Sequence, residues 1–466
     1  MTRQRIGRWI GLLLVICLLG IGTSGTFQDF IGLPAELRLF LGQSRQLHFH
    51  IPVSAVASIT DPSVVQINGS HDQQVSLDLS QPVRLAPRST GNTDLILKLF
   101  GQVPIKRLSV RVLPAVKVIP GGQSIGVKVL SKGVLVVGHH LVATNEGFPH
   151  SPAERAGIHV GDYITRVAGH QVKRVQDIVE AAGKAGEQGV PLVITAVHDG
   201  EEREVRVQTA FDRYEKTHCL GLYIRDSAAG VGTLTFYDPQ RKVYGALGHR
   251  IADVDTGQPI RLSEGRILGS DVTSIQRGQA GEPGQKRAIF LQEDQIIGNV
   301  RKNTSFGIFG DMRSAPPGTS EWNYPMPVAL PEQVEEGSAK ILTVVEGQKV
   351  EAFSINIEHV ASQHSPAMKG MVIKVTDPRL LEKTGGIVQG MSGSPIIQKG
   401  RLVGAVTHVF VQDPVSGYGT FLEWMLQEAG LVANGETKEQ PAVGPLTVPA
   451  IGCSLFSRSD VETPCT

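Results

Sequence analysis

Aromatic residues are scarce in this chain of 466 residues, at 5% of the total. Cysteine is scarcer still, with four copies. Few aromatics beside 53 glycines argue against helical bundles and for turn-rich β structure. Cys17, Cys219, Cys453 and Cys465 show neither a CxxC pair nor a His/Cys cluster at zinc spacing, and the doublet His139–His140 reads as a loop feature. The net charge is +1, from 45 basic and 44 acidic residues, and the basic ones are dispersed. That excludes bulk attraction to nucleic acid, and no partner of that kind is expected. Long apolar runs are absent except at the start. There Arg3, Arg5 and Arg8 precede an apolar stretch from Trp9 to Gly22, a basic segment followed by a hydrophobic one. Residues 1–26 are therefore expected to be an export signal or an uncleaved membrane anchor. Basic flanks stay cytoplasmic, so the remaining chain should face outside. Cys453 and Cys465 close a short loop that an oxidising compartment would permit to be a disulfide.

What is present is organised in blocks. From residue 27 to about 115, "LRLFLGQSRQLHFHI", "VSLDL", "TDLILKLFG" and "RLSVRVL" alternate apolar and polar residues between Gly, Pro and Asn punctuation. A small β-sandwich without chemistry is expected, with His48 and His50 as surface residues on one strand face. Residues 116–212 combine "PGGQSIGVKV", "GVLVVG", "SPAERAGIHVGDYITRVAGHQV", a helical pattern over 175–183 and "PLVITAVHDGEEREVRV". This block resembles a PDZ domain. The resemblance implies peptide binding by strand addition, with Ser124, Ile125, Gly126 and Val127 as the loop whose backbone N–H groups receive a chain terminus. Residues 213–432 return to short glycine-rich strands with one clear helix, "TFLEWMLQEAG". A pair of β-barrels is expected here. From 433 the Pro-rich, polar "NGETKEQPAVGPLTVP" reads as the linker of a flexible tail, 433–466.

The chemistry is concentrated in "IVQGMSGSPIIQKGRLVGAVTHVF". Its Gly-x-Ser-Gly-x-Pro pattern, followed by a strand, the Lys399–Gly400 turn and a returning strand, is similar to the nucleophile loop of chymotrypsin-like serine proteases. Small residues at 390 and 393 permit a tight turn that converges N–H groups beside a serine. In this register Ser392 is the nucleophile, and the N–H groups of Gly390 and Ser392 form an oxyanion hole. Each such donor stabilises the tetrahedral intermediate by ~3 kcal/mol. Ser394 falls at a position for local packing. His249 in "VYGALGHRIAD" follows a glycine-flanked strand, as a base presented into a cleft would. The returning strand Gly404–Phe410 should flank the substrate, with His408 more suited to packing than to substrate contact.

An N-terminal anchor, a PDZ-like block, "GALGHRI" and "GIVQGMSGSPI", in that order, resemble the stage IV sporulation protein B family, PDZ-containing serine peptidases of spore-forming bacteria. The resemblance covers most of residues 1–432. It implies a chymotrypsin-like double β-barrel and a triad of His249, Asp377 and Ser392. Asp377 lies 15 residues before Ser392 in "KVTDPRLLEKTGGIVQGMSGSP". Asp253, Asp255 and Asp413 are its rivals, and a turn cap before Pro378 is the alternative role for Asp377. No cofactor is implied. The implied substrates are the protein itself, cut in trans, and a membrane-bound regulator of an intramembrane protease, whose removal leads to processing of a late sigma factor. The implied location is the forespore membrane and then the space between the two membranes. The self-cleavage site is expected in "GTSGTFQDF". A non-catalytic PDZ adaptor and a general exported quality-control protease are the competing readings.

Overall fold

The computed structural model describes residues 36–49, 53–145, 147–291, 296–363 and 365–432. The expected anchor, the self-cleavage segment, His50, the tail and the Cys453–Cys465 pairing all lie outside the described residues. Cys219 lies within them and is disulfide-bonded. The chain divides into two compact units, Met1–Val116 and Lys117–Thr466.

The first unit is built from two sheets. One is five-stranded, in the order Glu36–Phe40, Val103–Leu113, Gly91–Leu99, Ser54–Ile59, Gln74–Asp78; the other has the order Arg45–Leu47, Val83–Pro87, Val65–Ile67. The period-2 alternation turns Leu95 and Leu97 of one sheet and Leu85 and Ile67 of the other into one shared core. The result is a small sandwich.

Two long strands organise the second unit, and each serves two sheets. Ser124–His139 and Leu222–Asp238 pair antiparallel along their length, with a register shift between Leu130 and Leu135. Beyond the shift, Val134–His139 and Leu222–Arg225 join Tyr163–Val167, Leu192–His198 and Glu201–Val207 in a sheet. Helix Val175–Glu187 covers this sheet, turning Val175, Ile178, Ala182 and Ala185 into a core with Val136, Ile164 and Ile224. Before the shift, the same two strands belong to the next body. Ser124–Leu130 pairs with Ser227–Thr233 on one side and with Leu262–Gln276 on the other. The ring continues through Val243–Ala246 and Gly307–Asp311 from one flank and Ile296–Asn299 from the other. The single bridge Gly298↔Met312 joins its ends.

This corrects the reading of Ser124–Val127. The four residues are not a loop. All are buried, and they lie in a strand with neighbours on both sides, so sheet pairing occupies the backbone that would have received a peptide terminus. The signal "SIGVKV" was that of a central strand, apolar on the face that packs Ile125, Val127 and Val129 into the ring's core.

A closed barrel follows. Its strands run Gly337–Val344, Val350–Val360, Met371–Val375, Asp413–Phe421, Arg401–Phe410, Pro395–Gln398 and back to the first. The second unit is thus one closed barrel and one ring closed at a single bridge, against the expected pair of complete barrels.

Candidate active site

Two segments converge on a third, strand Arg401–Phe410, and each is held there by backbone chemistry. The first is the turn after Val243–Ala246. Leu247 and Gly248 both take positive φ, 72° and 70°, which directs the chain sharply into His249. Leu247 is fully buried, and a left-handed conformation in a leucine costs roughly 1–2 kcal/mol. The strain sits one residue before the glycine that admits the turn. A Cβ on Gly248 would come within 3.0 Å of Thr407 Cγ2 and 3.2 Å of the Val406 carbonyl.

The second segment is the nucleophile loop. Gly390 and Gly393 have φ of 93° and 92°. A Cβ on Gly393 would lie 2.2 Å from the Thr233 carbonyl, so only glycine passes there. The loop is clamped from one side by strand Leu222–Asp238. Thr233 Oγ1 donates to the Gly390 carbonyl at 2.7 Å, Thr235 Oγ1 to the Gly393 carbonyl at 2.8 Å, and Thr233 N–H to the Ser392 carbonyl at 3.0 Å. From the other side the Gly393 N–H donates to Val406 O at 2.8 Å. Among the described residues the N–H groups of Gly390 and Ser392 donate to no backbone carbonyl. Those are the two donors expected for an oxyanion.

Ser392 and His249 each approach the third segment, the Thr407–His408 stretch of strand Arg401–Phe410, and no hydrogen bond joins them to each other. Ser392 is buried, and its Oγ donates to the Thr407 carbonyl at 2.9 Å. His249 is buried too. Its Nδ1 lies 2.8 Å from the Arg250 carbonyl, which makes Nδ1 the protonated nitrogen and leaves Nε2 with its lone pair, the tautomer a general base requires. Nε2 has no hydrogen-bond partner among the described residues. Burial lowers the imidazole pKa, which keeps the ring neutral. The ring of His408 stands 5.3 Å from that of His249, its Nδ1 also unpartnered, and burial drives its pKa down to about 3. His408 therefore shares the site with His249 rather than packing elsewhere. Ser394 is wholly enclosed and its Oγ has no partner among the described residues.

Asp377 stands apart from His249 in this structure. It is the N-cap of helix Pro378–Thr384, accepting from Arg379 N–H at 3.0 Å. Its second oxygen takes the Ser354 N–H at 3.1 Å and the Arg379 guanidinium at 2.9 Å. The Arg379 hydrogen bond holds the carboxyl below its usual range. The local cap geometry, legible in "TDPRLL", takes up the oxygens that the expected long-range contact would use. Two of the rivals, Asp253 and Asp255, are engaged by Arg225. Asp413 opens strand Asp413–Phe421, paired with Phe410.

Sequence reasoning missed Lys286. It is almost completely buried, its stem lies against Gly390, its N–H donates to the Gln389 carbonyl at 2.9 Å, and its Nζ donates to Thr343 Oγ1 at 2.7 Å. Nothing in "PGQKRAIF" distinguishes this lysine from a surface one. Also missed was the segment that takes the place of Ser124–Val127. Leu222–Arg225 is the outer strand of the sheet under helix Val175–Glu187, and the turn before it is fastened by Ser151 Oγ to the Gly221 carbonyl, 2.7 Å, and by Ala153 N–H to the Leu220 carbonyl, 2.9 Å. The glycine turn entering a strand in "CLGLYI" carried that signal.

A buried serine, a neutral imidazole with a free lone pair and two N–H groups without a backbone partner on one glycine loop are the groups that a serine hydrolase site requires. Residues 216–426 match the SpoIVB peptidase S55 family, and residues 146–194 match a PDZ domain. The two matches together support a SpoIVB-type, PDZ-containing serine peptidase. No curated protein matches it. Among solved structures it is similar to the PDZ domain of an SdrC-like protein from Listeria monocytogenes, with 21% identity, 20% of this chain and 87% of that one covered, and a TM-score of 0.16. It is also similar to a quinonprotein alcohol dehydrogenase-like protein from Bacteroides thetaiotaomicron, with 14% identity, 84% and 88% covered, and a TM-score of 0.11. At these scores neither likeness carries an argument.

Proposed function

We propose that this serine endopeptidase acts in sporulation, cutting itself in trans and a membrane-bound regulator of an intramembrane protease, after export into the space between forespore and mother cell. The observation that carries the chemistry is that Ser392 Oγ bonds the Thr407 carbonyl while the His249 ring stands 5.3 Å from that of His408, the next residue on the same strand. The biological setting is supported by the SpoIVB peptidase match over 216–426 following a PDZ match over 146–194. An N-terminal anchor would hold the chain at the forespore membrane until self-cleavage releases it.

In this reading Ser392 Oγ leaves the Thr407 carbonyl, gives its proton to His249 Nε2 and attacks a peptide carbonyl. The oxyanion is met by the Gly390 and Ser392 N–H groups. His249 then protonates the leaving amine, and water hydrolyses the acyl-enzyme by the same route. In the resting structure the Arg250 carbonyl holds the imidazole in the productive tautomer, and Asp377 as third member would take over the Nδ1–H in the working state. Asp377 is retained as the third member; its supports are its burial, its ionised state and its position before the nucleophile loop. The outer strand Leu222–Arg225 is where a peptide would add to the PDZ sheet.

The test is incubation of the full-length chain, wild type beside Ser392→Ala, with products resolved on a gel. Shortening at defined sites in the wild type alone is the expected result. If both stay intact while folded and no peptide is cut, the assignment of Ser392 fails. A broad profile on unfolded proteins would replace the signalling role with quality control.

A further inference from the structure

Two residues beyond His249 the chain enters a tightly fastened loop. Asn303 holds both ends of it: its Oδ1 accepts the Ile251 N–H at 2.7 Å, and its Nδ2 donates to the Ile251 carbonyl at 2.9 Å and the Ile260 carbonyl at 3.0 Å. Asp253 shapes the interior, with one oxygen accepting from the N–H of Asp255 at 3.1 Å, the N–H of Thr256 at 2.9 Å and the Thr256 hydroxyl at 3.0 Å. Its other oxygen is gripped by the Arg225 guanidinium, whose second amino group reaches Asp255 at 3.0 Å. Arg225 and Asp253 are both buried, and the Arg225 Nε has no partner among the described residues. A buried ion pair of this kind is weak evidence of a stabilising role, because desolvation opposes the attraction. Its fork geometry does something a hydrophobic contact cannot: it fixes two carboxylates at once.

Arg225 stands on the outer strand of the PDZ sheet, within the same continuous strand whose Thr233 and Thr235 clamp the Ser392 loop. One strand therefore holds the serine loop at its far part and the histidine loop at its near part. We propose that Arg225 is a positioning residue for His249, acting through Asp253 and Asp255 on the segment whose Arg250 carbonyl orients the imidazole. This rests on the reading of His249 as the general base.

The experiment compares full-length wild type, Arg225→Lys, Asp255→Asn and, as a control ion-pair variant on the PDZ sheet, Arg203→Lys. Among the described residues Arg203 pairs with Asp162 and has no hydrogen bond or ion pair to the His249 loop. Two readouts are taken: the rate of Ser392 labelling by a fluorophosphonate probe against pH, and the His249 Nδ1–H signal in ring-15N-histidine spectra, assigned with His249→Ala. Lysine keeps the charge and loses the fork. Arg225→Lys is expected to slow labelling at least tenfold at pH 7.5 and to shift or broaden the Nδ1–H signal, Asp255→Asn to do both to a smaller degree, and Arg203→Lys to do neither. Labelling within twofold of wild type and an unmoved signal in the two loop variants would overturn the proposal. Should Arg225→Lys not fold, Asp255→Asn, whose carboxylate is partly exposed, decides alone. Should wild type not label at Ser392, the peptidase chemistry proposed here fails, and the histidine signal still judges Arg225.

Discussion

At the scale of single residues, the site separates groups by what burial does to them. Asp377 has a cap's contacts and a triad member's burial, and Asp377→Asn distinguishes the two roles. Asparagine caps a helix about as well as aspartate. A cap alone would leave activity intact, although the amide nitrogen cannot accept from the Ser354 N–H and Arg379 as the second carboxylate oxygen does. An orienting carboxylate would not, since its loss in serine peptidases lowers kcat about 10⁴-fold by changing the tautomer. We expect a fall of at least 100-fold in kcat with a melting temperature within a few degrees of wild type. Retention of half the activity would return Asp377 to the cap. Lys286 gives a second test. Burial lowers its amine from 10.5 to about 7, with Thr343 Oγ1 as the partner of its Nζ. Because the folded value lies below the unfolded one, the unfolded chain binds the extra proton between pH 7 and 10.5, and stability rises with pH across that window. Below pH 7 the full cost is present. Denaturation at pH 6 and pH 9 should show wild type gaining about 2–3 kcal/mol more than Lys286→Met over the same interval. Equal gains in both proteins would mean that the amine stays solvated.

At the scale of elements, legibility followed the range of the interactions. Ser392 and its loop could be read because the requirement is local: small residues where the backbone turns back on itself, confirmed by the space at Gly393. The choice of His249 rested on the family resemblance, with chain order and the glycine beside it as support. The sandwich of the first unit was legible in its alternation. What the residues did not display was that "SIGVKV" and "GVLVVG" form a single strand. Ser131 and Gly133 look like a turn between two strands, whereas Ser131 Oγ donates to the Gly133 and Asp226 carbonyls and makes the segment an irregularity within one. Missing that continuity placed the expected peptide-binding segment at Ser124–Val127 and hid the strand Leu222–Arg225, where the proposed peptide would add. The contacts of Arg225 with Asp253 and of Thr233 with Gly390 span long stretches of sequence, and no periodicity encodes such pairs.

At the scale of the molecule, the PDZ block and the peptidase are not beads on a chain. Ser124–His139 and Leu222–Asp238 each begin in one body and end in the other, so a cut between them divides neither cleanly. The chain divides into compact units at Val116–Lys117, outside both bodies. A fragment beginning at Lys117 keeps every strand of the ring, the closed barrel and the sheet under helix Val175–Glu187. A fragment beginning at residue 213 loses Ser124–Leu130, and with it the central neighbour of both Leu222–Asp238 and Leu262–Gln276. That exposes the apolar face carrying Leu234 and Ile267 and frees the strand that clamps the Ser392 loop. The fragment from 117 is therefore expected to unfold in one cooperative transition and to label at Ser392 at a rate within a few-fold of the longer chain. The fragment from 213 is expected to show no cooperative transition and no labelling, as followed by circular dichroism and the same probe. A fragment from 213 that melts cooperatively and labels would mean that the peptidase folds without Ser124–Leu130, and that the shared strands join two independent domains instead of building one.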